Sequence, residues 1–138
     1  MTATRAKQTA NAFWLAAARN MEQRRLSTTQ FQMLLVPSVV CAAFSIELGI
    51  KAMLLPTGSP PKTHNLAKLF SLLPQPVKDQ IIEGCGQSRD AFDVSLATIA
   101  NVFDEWRYIY ESENISLDNG FLNALADAVK VAADAYAP

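Results

Sequence analysis

Apolar positions recur at helical spacing along most of this chain, and clusters of Pro, Gly and Ser cut the pattern into six segments. The first runs from about Thr4 to Arg25, with Phe13, Trp14, Leu15, Ala16, Ala17 and Met21 supplying apolar faces. Ser27-Thr28-Thr29 then offers hydroxyls that suit the N-cap of the next helix. That second region, about Thr28 to Leu55, contains Pro37, which either opens a new helix in its first turn or kinks one long helix. The loop Pro56–Pro61 follows, then a helix from about Thr63 to Leu73 with Leu66, Leu69, Phe70 and Leu73 on one side. Pro74 and Pro76 break it and start a short helix through Glu83, which Gly84-Cys85-Gly86 closes. A fifth helix is predicted from about Arg89 to Glu111, striped by Phe92, Leu96, Ile99, Phe103, Trp106 and Tyr110. After the turn Asp118-Asn119-Gly120, the last helix spans about Phe121 to Tyr136. No period-2 strand pattern of useful length appears. The pattern predicts an all-α protein: one domain over residues 1–138, an up-and-down bundle of four to five main helices plus short ones.

Composition agrees with that picture. A chain of 138 residues, half of them hydrophobic and only five of them glycine, can bury roughly two-thirds of its unfolded surface. The net charge of −1 gives no global attraction for nucleic acid. The charge is unevenly spread, however. Residues 1–25 carry Arg5, Lys7, Arg19, Arg24 and Arg25 against Glu22, a net of +4, whereas residues 104–138 carry Arg107 and Lys130 against seven acids, a net of −5. This asymmetry favours antiparallel self-association or a local basic surface. The apolar residues of the first two segments also exceed what one face can bury, so a homodimer is expected.

Cys41 lies in an apolar run and Cys85 in a Gly-Cys-Gly turn, with neither metal-ligand nor C-x-x-C spacing. Two such thiols suit a reduced, cytoplasmic setting. The run Ala12–Ala18 after Arg5 and Lys7 is too short for a signal peptide and continues into a charged helix. Residues 33–46 are uncharged, but Pro37 interrupts them and Glu47 and Lys51 follow, which suits a buried core helix; no membrane span is expected.

Several chemistries lack their residues. One histidine cannot furnish a di-iron bundle, no H-E-x-x-H or cysteine pair exists for zinc, and no Gly-rich phosphate loop is present, so neither metal nor cofactor is expected. What remains is a set of polar residues among apolar ones. Glu47 and Lys51 stand four apart in an otherwise apolar helix, so the pair is at least partly buried. Such a pair is either a self-satisfied ion pair or one half of a cluster with Arg107 and Glu111 lining a cleft. Arg107 and Glu111 also stand four apart, beside Phe103, Trp106, Tyr108 and Tyr110, either as a surface salt bridge or as an anion contact with rings for a base. His64, the sole imidazole, is either a capping or interface residue or the natural general acid or base.

Three of these segments together resemble bacterial HEPN-domain proteins: Glu47–Leu55 with its E-x-x-x-K spacing, His64–Phe70, and Trp106–Glu111 with W-R-Y-x-Y-E. The resemblance runs from about residue 30 to 112. It implies an up-and-down bundle of four or five helices, usually dimeric. The family includes metal-independent ribonucleases, toxins, partners of small nucleotidyltransferases and non-catalytic modules. Its catalytic members resemble one another in an R-x4-H motif that drives attack of a ribose 2′-hydroxyl on its own phosphodiester. Here the position five after Arg107 is Ser112, so the motif reads R-x4-S, and serine does not shuttle protons near neutral pH without a strong base beside it.

The expectation is therefore a HEPN-like module that binds a nucleotide, RNA or a protein partner without catalysis. Lys51, His64 and Arg107 would meet phosphate, Tyr108 or Tyr110 would pack on a base, and Glu47 and Glu111 would complete the polar set. Two alternatives stand beside it. One is a toxin-like ribonuclease in which Arg107 clamps phosphate and His64 carries the proton. The other is a structural or regulatory dimer of antitoxin type, with Glu47, Lys51, Arg107 and Glu111 as a buried network.

Overall fold

The computed structural model describes residues 1–111 and 117–138, Glu111 by its backbone alone. Helix α1, Ala3–Asn20, starts where the Thr2 side chain accepts a hydrogen bond from the Arg5 N–H. Its partner α2, Leu35–Leu54, is the core of the bundle and packs on α1 and on two later helices, α6 (Val102–Arg107) and α7 (Asn119–Tyr136). Pro37 sits in the first turn of α2, where its missing N–H would have had no intrahelical acceptor, so one helix runs unbroken through it.

The start of this helix differs from expectation. Residues 24–32 form a small antiparallel hairpin, β1 (Arg24–Arg25) with β2 (Phe31–Gln32), pairing Arg24 with Gln32 and Arg25 with Phe31. The hydroxyl cluster expected to cap a helix makes the hairpin turn instead. Ser27 Oγ accepts from the N–H groups of Thr29 (3.2 Å) and Gln30 (3.1 Å). A serine hydroxyl serves a tight turn as readily as a helix end, and local bonding decided for the turn.

Three short helices follow a 3-10 turn at Leu55–Thr57. They are α3 (Leu66–Ser71), α4 (Gln75–Gly84) and α5 (Arg89–Ile99). Gly86, at φ 68°, ends α4 in the left-handed region that favours glycine, its N–H reaching the Glu83 carbonyl at 3.0 Å. The single helix expected from Arg89 to Glu111 is divided. Helix α5 stops at Ile99, α6 begins at Val102, and Ile109–Glu111 is a 3-10 turn. The cause is the N-terminus of α3. The Leu66 N–H takes the Ala100 carbonyl at 2.9 Å, and Asn65 Nδ2 donates to Asn101 Oδ1 at 3.1 Å. The apolar stripe continues across the break to Trp106, because Phe92, Leu96, Ile99, Phe103 and Trp106 are all buried.

These helices surround one hydrophobic core, to which α2 gives Val39, Ile46 and Ile50 and α7 gives Leu122 and Leu125. Among the described residues the bundle is all-α apart from the hairpin. By length and composition Leu35–Thr57 could cross a membrane, with mean hydropathy 1.8 over its most apolar window, a longer run than the Pro37 interruption suggested. Within the bundle 72% of that window is buried, as in a core helix.

Close approach of α2 and α7 depends on Gly49, where an added Cβ would stand 2.7 Å from Val129 Cγ1. Val129 is β-branched and stiff about χ1, so it yields poorly. Gly49→Val should lower stability by about 1–3 kcal/mol, and Val129→Ala in the same chain should recover part of it; thermal unfolding of the parent, the two single variants and the double variant measures the coupling. Helix α7 is also tied to α1 by Asn11 Nδ2 to Asp134 Oδ1 at 3.4 Å and Trp14 Nε1 to Asp127 Oδ1 at 2.8 Å. The hydrogen bond from Lys130, aided by Asn11, holds the Asp134 carboxyl below its ordinary range. A carboxylate lowered on folding stabilises above its unfolded pKa and loses that contribution as pH falls. Asp134→Asn should therefore cost up to about 0.5 kcal/mol near neutral pH, small because the pair is solvent-exposed, and in acid unfolding the difference from the parent should shrink as pH falls below about 4 and vanish only below the lowered pKa.

Candidate functional site

A carboxylate inside the most apolar helix organises the candidate site. Glu47, in the middle of α2, is only 1% exposed. One of its oxygens, Oε1, receives two partners: Lys51 Nζ at 3.5 Å, one turn along the helix, and His64 Nδ1 at 2.5 Å, from the loop before α3. An ionised carboxylate desolvated this far costs several kcal/mol unless it is paired and hydrogen-bonded. The pairing expected between Glu47 and Lys51 is thus present, and His64 completes it.

The loop that delivers His64 is locked on both sides. The Thr63 N–H reaches the Pro61 carbonyl at 2.9 Å, and Thr63 Oγ1 accepts from the Asn65 N–H at 3.1 Å. Asn65 in turn caps α3 through Lys68 N at 2.9 Å and bonds Asn101. With the backbone fixed, the imidazole can present Nδ1–H to Glu47, which leaves Nε2 for an outside partner. The His64 side chain keeps 42% of its surface exposed.

Its ring also rests on Phe103, with centroids 4.7 Å apart. Phe103 comes from α6 and touches Phe44 of α2 at 5.3 Å, which meets Phe13 of α1 at 4.6 Å. Over the same Phe103 ring lies the Arg107 guanidinium, its Cζ 4.9 Å from the centroid, and it lies 4.7 Å from the Tyr108 ring as well. Arg107 and His64 are therefore neighbours through a shared aromatic ring. Tyr108 stands 6.3 Å from Tyr110, and Tyr110 is 77% exposed. This end of the bundle presents a cation, an imidazole and two phenols to solvent.

Two expectations change here. Arg107 does not join Glu47 and Lys51: its Nη2 bonds Asp104 Oδ1 at 3.2 Å, and its side chain is 42% exposed. Helix α6 turns Phe103 and Trp106 inward, which leaves Arg107 on the outer side. The expected i, i+4 pairing of Arg107 with Glu111 lacks its helix, because α6 ends at Arg107 and a 3-10 turn follows. The Glu111 side chain and Ser112 lie outside the described residues. Phe103 as a common platform, Asp104 as partner of Arg107 and Asn65 as clamp of the His64 loop were not singled out from sequence. Asn65 one residue before Leu66 was a readable cap signal; the other two carried none.

Other chemistry finds little support nearby. Burial raises the Cys85 thiol to about 11 and moves Cys41 in the same direction, so neither is poised as a thiolate near neutral pH. Among the described residues no group of three or more His, Cys, Asp or Glu could hold a metal ion. The larger open grooves lie elsewhere, about 400 Å³ between α4 and α7 and about 240 Å³ beside Trp14. They are remote from the His64–Arg107 surface in their linings, so volume and chemistry point to different places; the side-chain chemistry decides here. Comparison with protein-family models, with characterised proteins and with solved structures finds no match.

If Glu47 is the anchor, removing it alone strands a largely buried ammonium. Glu47→Ala should cost about 3–5 kcal/mol in chemical denaturation, whereas Glu47→Leu with Lys51→Met should cost far less or nothing. Equal losses in both variants would show that the stranded Lys51 ammonium is not the source of the loss.

Proposed function

We propose that the chain is a HEPN-like, non-catalytic binding module, in a cytoplasmic setting, for single-stranded RNA or a nucleotide. The observation that carries this reading is the exposed Arg107 guanidinium set against Phe103 and Tyr108, with Tyr110 open beside it. A guanidinium offers a planar fork for phosphate, and exposed rings stack on bases without needing a particular sequence. Asp104 occupies one edge of the fork through a single contact at 3.2 Å, an exposed pair that a phosphate can displace at small cost. His64 Nε2 supplies a second polar contact. Lys51, mostly buried against Glu47, serves the site by holding that carboxylate and not by touching phosphate. The resemblance of Glu47–Leu55, His64–Phe70 and Trp106–Glu111 to HEPN-domain segments supports the same reading.

A ribonuclease is the second reading, and one observation favours it. Glu47 orients the imidazole of His64 while Arg107 shares its aromatic platform, so a base and a phosphate clamp stand near each other. The buried-network reading has less support, because it needs Arg107 buried and bonded to Glu47 or Glu111, and Arg107 is exposed and bonded to Asp104.

Fluorescence anisotropy with a labelled single-stranded RNA decamer separates these readings. The binding module should bind at low salt. Arg107→Ala should reduce the slope of log affinity against log salt by about 0.7, and Tyr110→Ala should weaken binding by about 1–3 kcal/mol. No binding at low salt, or equal binding by Arg107→Ala and the parent, contradicts the proposal. Release of 2′,3′-cyclic phosphate ends that His64→Ala abolishes would replace it with the ribonuclease.

A further inference from the structure

The hairpin between α1 and α2 is an arm whose large apolar side chains stand exposed among the described residues. Leu26 is 61% exposed and Phe31 64%, and Met33 and Leu34 are exposed at its base. Arg24 and Arg25 form its first strand, both exposed. So much apolar surface within a dozen residues is a contact waiting for a cover.

The shape of the arm selects the cover. Its tip, Ser27-Thr28-Thr29-Gln30, is polar, exposed and locked by the Ser27 hydroxyl. A tip of that kind does not enter hydrocarbon, whereas the apolar flanks and basic strand suit lateral seating in an acidic groove. The chain itself carries such a groove. Between α4 and α7, a trough of about 400 Å³ is lined by Gln80, Glu83, Gly84, Asp127, Ala128 and Val131. Val131 stands 60% exposed there, and Glu83 and Asp127 share the lining. Arm and groove are complementary in charge and in apolar content.

We propose that the arm of one chain seats in the α4–α7 groove of a second copy, Phe31 and Leu26 against Val131 and Ala128, with Arg24 and Arg25 facing Glu83 and Asp127. Reciprocal seating closes a two-fold dimer, since each copy offers one arm and one groove. The inference is independent of any ligand at His64 and Arg107.

Sedimentation velocity at tens of micromolar chain tests it, with circular dichroism as a check that each variant folds. The parent should sediment as a dimer that weakens with rising salt. An arm variant, Leu26→Glu with Phe31→Glu, and a groove variant, Val131→Glu, should each weaken association at least about tenfold. Both alter exposed side chains, so helicity should persist. An equimolar mixture of the two variants should regain a dimer, because one arm and one groove remain intact in the pair. A monomeric parent overturns the proposal, as does a dimer indifferent to either variant or a mixture that stays monomeric. A monomeric parent that floats with anionic phosphatidylserine vesicles would assign the arm to a membrane surface instead.

Discussion

One carboxylate placed where water cannot reach it constrains much of this fold. Glu47 lies in the middle of the longest apolar run of the chain, and a helix that buries almost every face leaves it no route to solvent. Lys51 on the next turn supplies an ammonium, but at 3.5 Å it is the looser of the two partners. The closer one comes from 17 residues along the chain, which means that the Pro- and Gly-rich loop after α2 has to return to the same place. The loop is therefore a tether whose length and turn chemistry serve one hydrogen bond.

That return has a second consequence. Asn65 and Leu66 hold the loop by bonding Asn101 and Ala100, and those bonds fall where α5 gives way to α6. Docking of α3 and interruption of the long helix are one event. The break re-aims the following residues, so that Phe103 faces both Phe44 and His64 while Arg107 swings outward over the Phe103 ring. The histidine that bonds the buried acid and the exposed guanidinium thereby meet on a single aromatic side chain.

How much of this was readable in advance follows from which forces are local. Helix type and sequence order follow from apolar spacing, and the caps at Ser88 and Asp118 lie at or close to the turns that the pattern marked. The burial of Glu47 with Lys51 was legible because their neighbours on one helix are apolar all round. The hairpin was not, because a Ser-Thr-Thr cluster reads equally as a helix cap and as a turn, and two-residue strands carry no alternation. Nor was the interruption at Ala100, since the residues there are compatible with helix and only a distant N–H stops them. The Asp104 partner of Arg107 was not legible either, because the reading assumed a continuous helix from Arg107 through Glu111. Long-range placement of His64 on Glu47 leaves no mark in a single sequence.

The central claim is that the imidazole of His64 donates from Nδ1 to the buried Glu47 carboxylate and is oriented by it. Nitrogen-15 NMR of the histidine side chain reads this directly, since two-bond couplings tell which ring nitrogen carries a hydrogen. The account predicts a hydrogen on Nδ1 at neutral pH in the intact protein, and loss of that preference in Glu47→Gln. An unprotonated Nδ1 in the intact protein, or the same pattern in both chains, would contradict it.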